Sequence, residues 1–447
     1  MLKLQSRHRL DIRLRDFAYA LSAVIWARDA DELGARLAAT WSPSGQSLAC
    51  RSVRSGFHLL LDALDLPAGG EVLVSAVTHP DMVRIIEGHG LVAVPVDLVV
   101  ATLAPRLDLA ERLVTPRTRA ILIAHLFGGR IEMEPWGAFA KQHRLLLWED
   151  CAQAFTGPGD TGAAAADISM YSFGALKTCT ALGGALLKVN DRSLLAWMRT
   201  IHGGWPLQAR RAYAAGALKF FAFSLVTRPV AYGLLARLCA AFGRDFDRLV
   251  NSSVRAFRPG RLLRQLEVRP SAPLLATLGY RLRTLDDVRL RWRTASGEWL
   301  AANLPEALQL AGGQAQCRTH WLFPVVTSQP ERLISACRRA GFDAARGASS
   351  VRAVAAPADR PESEPTQARQ MMARLVFLPA YPELPKGSLA RIVAASSGRG
   401  MIPYQSLPTA AASRPGWTSP GLPASRGGPA APARRRWRGE GGEARPT

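Results

Sequence analysis

The sequence predicts an α/β fold built on a mostly parallel sheet covered on both faces, and three observations carry that prediction. From Glu71 to Gly184 short apolar runs alternate with helix-like segments, the pattern of strands joined by crossover helices. Within it, Leu145 to Asp150 (LLLWED) sets four apolar residues before two acids, so it reads as a buried strand whose carboxyl end presents a carboxylate. At 447 residues, 48% hydrophobic and 21% charged, the chain is long enough for a large and a small domain. In such a sheet a ligand lies at the carboxyl ends of the strands.

Residues 1–44 form the first segment. Leu14 to Trp26 has helical apolar spacing, and DADELGARLAATW is a second helix. Residues 45–210 make the large domain. Its Arg54-Ser55-Gly56 stretch precedes an apolar helix, and a helix N-terminus offers unpaired N–H groups and the positive end of the dipole to an anion. Val72 to Val77 is a strand, Pro80 opens a helix at its preferred first position, and Leu91 to Val96 is the next strand. His79, just before Pro80, either stacks on a bound ring or caps that helix. Arg119 to Phe127 is a further strand, ending in HLFGG, whose His125 serves the site or only the turn.

The stretch DISMYSFGALKTCTALGG, Asp167 to Gly184, holds the lysine with most chemical promise. Ile168 to Phe173 is strand-like, and Gly183-Gly184 opens another apolar run, which places Lys177 on a tight connection between two strands. An amine enclosed among apolar neighbours loses its proton more readily and can form a Schiff base with a carbonyl.

The ordered motifs, a strand followed by E-D-x-A-Q-A and then D-I-x-x-Y-S-F-x-x-x-K-x-x-x-x-L-G-G, resemble the DegT/DnrJ/EryC1/StrS family of pyridoxal-phosphate enzymes, best known as sugar aminotransferases. The resemblance runs with gaps from about Gly45 to Val393. It implies fold type I of the pyridoxal-phosphate transferases and a homodimer with sites at the subunit interface. It implies that Lys177 joins the cofactor as the internal aldimine, that Asp150 partners the pyridinium nitrogen, that Ser172 binds the phosphate and that Gln153 lies near the ring. Arg54 and Ser55 match the family's phosphate turn, where the arginine is a departure, and His79 stands where the family has a stacking aromatic. The implied reaction moves an amino group from L-glutamate or L-glutamine to a keto acceptor, a nucleotide-linked sugar or a lipid-linked one. Dehydratases of the family replace the lysine by histidine, so Lys177 argues against that activity. The alternative is a non-catalytic, cofactor-binding regulatory or membrane-associated member.

Residues 211–270 read as an apolar helical insertion. Its stretch from Ala212 to Val250 has charge-free runs too short to cross a bilayer, leaving three uses open: a membrane-surface contact, a lid or a subunit interface. Residues 271–397 comprise a connecting helix from Leu275 to Leu304 and a small α+β domain with a strand in Thr319 to Ser328, a helix from Glu331 to Gly341 and a strand at Leu375 to Pro379. The family's G-Y-N-x-R segment has only Arg269 as a counterpart here. Ala355 to Thr366, rich in proline and charge, is expected at the rim of the site. Residues 398–447 are Pro/Gly/Ala/Arg-rich without apolar periodicity and are expected to be disordered.

Six scattered cysteines without a C-x-x-C pair read as reduced thiols of a cytoplasmic protein, and no metal is implied. The N-terminus lacks the apolar core of a secretory signal. A net charge of +22 favours anionic partners, but the arginines are spread along the chain, so nucleic-acid binding is not expected.

Overall fold

Seven strands form the central sheet of the computed structural model, which describes residues 3–42, 44–244, 246–247 and 262–397. In chain order they are β1 (Ser47–Cys50), β2 (Glu71–Ser75), β3 (Val92–Val96), β4 (Thr118–Ala124), β5 (Leu146–Asp150), β6 (Ile168–Ser172) and β7 (Ala185–Val189). They lie in the order β1-β7-β6-β5-β4-β2-β3. The pairs from β6 to β3 are parallel, while β7 runs antiparallel to β6 and to β1. Crossover helices explain the parallel part, and the tight Lys177 connection explains the antiparallel turn to β7.

Both sheet faces are buried, and the strands alternate between two cores. Val72, Val74, Ala120 and Leu122 face one core with Phe57 and Trp148; Leu73, Ile121, Ile123 and Leu147 face the other with Trp136 and Phe139. Such runs are apolar at every position, which is why they read as buried strands in the sequence. A third core joins Tyr171, Phe173 and Leu186 to the N-terminal helices α1 (Leu14–Trp26) and α2 (Ala30–Trp41). Both helices fall where the apolar spacing placed them, and Asp29 caps α2 by accepting from the Glu32 amide.

The small domain has a three-stranded antiparallel sheet, Gln309–Leu310, Phe323–Val326 and Leu375–Leu378, covered by helices Pro330–Arg339 and Ser388–Ser397. All described residues fall in one compact unit. Two expectations change. The single helix expected over Leu275 to Leu304 is two, Ala272–Arg283 and Asp287–Ala302. The break has a local cause: the Asp286 carboxylate accepts from the Arg289 amide and so starts a new helix. The loop from Ala355 to Thr366 runs along the sheet edge rather than rimming the site. Arg360 is buried there, 2.7 Å from Glu71 at the amino end of β2. The described residues of the insertion hold three helices, Arg210–Val226, Pro229–Ala241 and Leu262–Leu266, the first two meeting at an 88° bend. Residues 398–447 lie outside the described residues.

Candidate active site

The carboxyl edge of the sheet gathers most of the residues singled out by sequence. Asp150 ends β5, Ser172 ends β6, His79 follows the short strand after β2, and His125 follows β4. Pairing of Cys50 and Ser172 with Ala185 brings the end of β1 to the same edge, and with it the N-terminus of helix α3 (Val53–Leu64).

Lys177 sits on the β6–β7 connection, its amide donating to the Gly174 carbonyl at 2.9 Å. The loop folds back on itself: the Phe173 carbonyl accepts from the Ala181 and Gly183 amides at 3.0 and 3.2 Å. Cys179 and Leu182 hold left-handed backbone conformations, at φ of 58° and 65°. Neither is glycine, so the turn is strained. Two external bonds support it. The Cys179 amide donates to Asp11 at 2.8 Å, and the Arg293 guanidinium donates to Thr178 Oγ1 at 3.1 Å. Gly174 lies between Ser172 and Lys177: a methyl group there would stand 3.6 Å from Ser172 Oγ and 3.9 Å from Lys177 Cγ.

Burial lowers the Lys177 amine to a pKa of about 8; the Asp150 carboxylate opposes the shift and Arg54 adds to it. The ammonium form has one further neighbour that sequence reasoning missed. Nζ lies 4.3 Å from the centre of the Trp321 ring, and Trp321 Nε1 donates to the Leu176 carbonyl at 2.8 Å. Trp321 stands in THWLFP, which on sequence reads only as the approach to a strand; a tryptophan with its indole N–H committed to the lysine loop leaves no trace in spacing.

Asp150 is buried, and one carboxylate oxygen accepts from the Ala152 amide at 2.9 Å. Burial raises its pKa, against the pull of that amide and of Lys177. Behind it lies a denser network. His125 Nδ1 accepts from the Ile131 amide at 3.0 Å, so Nε2 carries the proton and donates to Glu149 at 2.8 Å. His125 therefore serves both the turn and the wall behind Asp150. Burial works against the Glu149 charge, yet His125, Arg130 and Ser169 hold its pKa below the carboxylate range. His125, Glu149 and Cys151 bring their ligand-type atoms within 4.8 Å of one another, a grouping not legible in the sequence. The place is taken by the Arg130 guanidinium, 3.1 Å from Glu149 and 2.8 Å from Cys151 Sγ, and the protonated Nε2 leaves His125 no lone pair for a metal.

The remaining candidates divide. Gln153 accepts from the Phe127 amide at 3.0 Å, which ties it to the HLFGG turn. Ser172 is half-buried and its hydroxyl lies 3.4 Å from the Gly174 amide. Ser52 caps α3 by accepting from the Ser55 amide at 3.1 Å, and the fully buried Ser55 hydroxyl sits 3.1 Å from that of Ser52. Arg54 donates to Asp81 at 2.7 Å, an acid that sequence reasoning passed over in the run after His79. His79 does cap its helix, Nδ1 accepting from the Asp81 amide at 3.1 Å, and burial with the nearby Arg54 lowers its pKa to about 4. Arg269 pairs with Asp31 of α2 and donates to the Trp205 carbonyl.

A half-buried lysine of lowered pKa, within electrostatic reach of a buried acid at the carboxyl edge and with a capped helix N-terminus beside them, fits an aldehyde cofactor that also carries a cationic ring nitrogen and a phosphate. Residues 27–213 match the model of the DegT/DnrJ/EryC1/StrS aminotransferase family. Over that stretch, less than half of the chain, the sequence is similar to that family. The cofactor of the DegT/DnrJ/EryC1/StrS enzymes is pyridoxal phosphate, and Lys177 and Asp150 suit its aldehyde and its ring nitrogen. Among curated relatives, the GDP-perosamine synthase of Caulobacter vibrioides is 34% identical over 161 residues, 35% of this chain and 43% of that protein. A pleiotropic regulatory protein of Geobacillus stearothermophilus is 31% identical over 214 residues, 46% of this chain and 55% of its own length. The matched region thus spans about half the length of these relatives. The fold carries further: the sugar aminotransferase CalS13 of Micromonospora echinospora superposes with a TM-score of 0.62 over 88% of this chain and 99% of its own, at 18% identity.

Proposed function

We propose that this protein is a pyridoxal-phosphate-dependent aminotransferase that takes an amino group from L-glutamate or L-glutamine and delivers it to a keto group, on a nucleotide-linked sugar in the first instance. The observation that carries the reading is the desolvated Lys177 amine, with a pKa near 8, held opposite the buried Asp150. When bound, the cofactor supplies an electron sink for a carbanion next to nitrogen.

The chain's own residues do the rest. Lys177 would hold the cofactor's aldehyde carbon in the resting site, and its Nζ, when free, would be the base that takes a proton from the amino donor's α carbon, a task suited to an amine whose pKa is lowered to about 8. Asp150 would keep the ring nitrogen protonated, and the His125–Glu149–Arg130 network fixes the end of β5 that presents it. Ser172, Arg54 and the α3 N-terminus with Ser55 would hold the phosphate, Gln153 and His79 would serve the ring, and Trp321, its ring centre 4.3 Å from Nζ, would shield the amine from water. We assign the working form as a homodimer, as sites of this fold lie at a subunit boundary.

The absorption spectrum of the purified protein, before and after L-glutamate, tests the reading in wild type and in Lys177→Ala. A yellow chromophore that bleaches with glutamate in wild type and never forms in the variant is the expected result. A chromophore indifferent to every amino donor would move the chain to a cofactor-binding regulator, the role named for its Geobacillus relative. No chromophore after reconstitution would remove Lys177, Asp150 and Ser172 from the site together.

A further inference from the structure

The helix pair Arg210–Val226 and Pro229–Ala241 is apolar on the face that it turns outward. On the first helix Ala215, Leu218, Ala222, Leu225 and Val226 are exposed at helical spacing; on the second, Val230, Leu234 and Leu238 follow one another every four residues, and Phe242 continues the line. The exposures are large: 53% for Leu218, 54% for Leu234 and 74% for Phe242. Soluble surfaces rarely line up apolar residues in this way without a partner.

The exposed stripe is not the result of a loosely held hairpin. The inward side is fixed by Phe17 and Phe221, whose rings meet edge to face at 5.4 Å, and by the buried Tyr232, whose hydroxyl donates to Asp343 at 2.6 Å. The bend itself is pinned where the Leu4 amide donates to the Pro229 carbonyl at 3.0 Å. Among the described residues no single helix is long and apolar enough to cross a membrane; this pair has the length and composition to do so only when taken together, and the 88° bend turns the two helices away from a common axis.

Charge selects among the occupants such a face could take. From Arg210 to Arg244 there is no acidic residue, and the cations are Arg210, Arg211, Lys219, Arg228, Arg237 and Arg244. A second copy docked here by two-fold symmetry would set this cluster against itself, because such an interface uses the same patch on both sides. A surface of anionic lipid satisfies both features at once, with acyl chains for the apolar stripe and phosphates for the cations at its margins. We propose that the helix pair is a membrane-surface contact that seats this protein on anionic bilayers without crossing them. The inference is independent of the amino-transfer reading.

Co-sedimentation of the full chain with vesicles tests it, comparing phosphatidylglycerol–phosphatidylcholine mixtures with pure phosphatidylcholine. Two variants separate the contributions. Leu218→Ser with Leu234→Ser and Phe242→Ser removes the apolar stripe; Lys219→Gln with Arg228→Gln and Arg237→Gln removes charge alone. Because these side chains are exposed, thermal melting should match wild type and confirm folding. The expected result is partition of wild type to the anionic vesicles, a loss of about tenfold or more in the serine variant, and loss of the anionic preference in the glutamine variant. Three results would overturn the proposal: no binding by wild type, both variants binding as wild type does, or a wild-type dimer in light scattering that the serine variant dissolves with vesicle binding unchanged.

Discussion

The proposed role of Lys177 rests on an electrostatic balance that single substitutions should tip in known directions. Burial lowers its pKa to about 8, Asp150 pulls it upward and Arg54 pushes it further down. The neutral amine is the form that takes up an aldehyde, so uptake of pyridoxal phosphate by the cofactor-free protein should rise with pH through that value. Removing the carboxylate with Asp150→Asn should move the midpoint to lower pH, and removing the cation with Arg54→Gln should move it to higher pH. Rates of uptake followed by absorbance across the range from pH 6 to pH 10 would show both shifts. A midpoint that stays fixed in both variants would mean that Lys177 does not control uptake.

The turn from Leu126 to Arg130 is the element that brings the small domain to the lysine. Gly128 accepts the Thr319 amide at 2.8 Å, Phe127 accepts the Leu322 amide at 3.1 Å, and Cys317–Arg318 pairs with Gly129–Arg130, so Trp321 is carried onto Nζ by backbone bonds. Gly128 has a φ of 97°, and a methyl group there would lie 2.5 Å from the Trp321 amide and 2.7 Å from Thr319 Oγ1. Gly128→Ala should therefore lower the melting temperature and weaken cofactor binding. Gly69→Ala, with a φ of 75° but open space around it, should cost only the backbone strain of about 1 kcal/mol. Equal melting temperatures for the two variants would count against this account. The HLFGG motif was legible in the sequence because its glycines and histidine are local, and the strands were legible because burial on both faces makes them continuous apolar runs. What could not be read were the pairs made by distant segments: Trp321 with Lys177, Arg130 with Glu149 and Cys151, Arg54 with Asp81. The break at Asp286 was hidden for another reason, since an aspartate inside an amphipathic run looks like one more exposed charge until its side chain is seen to cap.

Across the molecule, among the described residues, the buried guanidinium groups of Arg7, Arg281, Arg293 and Arg360 have hydrogen-bond partners, while the buried His202 keeps one ring nitrogen without a partner. Burial, with the neighbouring Arg7, lowers His8 to a pKa of about 3; burial, with Arg269, lowers His202 to about 4, and His202 Nε2 has no hydrogen-bond partner among the described residues. Both are neutral when folded and take up protons near pH 6.5 when unfolded. The unfolded chain then binds more protons, so stability is complete above about pH 6.5 and falls as the pH drops toward the folded values. At pH 5 each histidine should cost about 2 kcal/mol, an order-of-magnitude figure from linkage. Glu149 and Asp81, whose pKa values are lowered, lose stability in the same direction at more acid pH, while Asp150 and Asp167, raised by burial, offset part of it. Thermal unfolding between pH 7.5 and pH 5 should show the melting temperature falling with acidification. His202→Leu, which removes a titrating group and the orphaned nitrogen together, should flatten that slope. A variant as steep as wild type would place the acid sensitivity on the carboxylates instead.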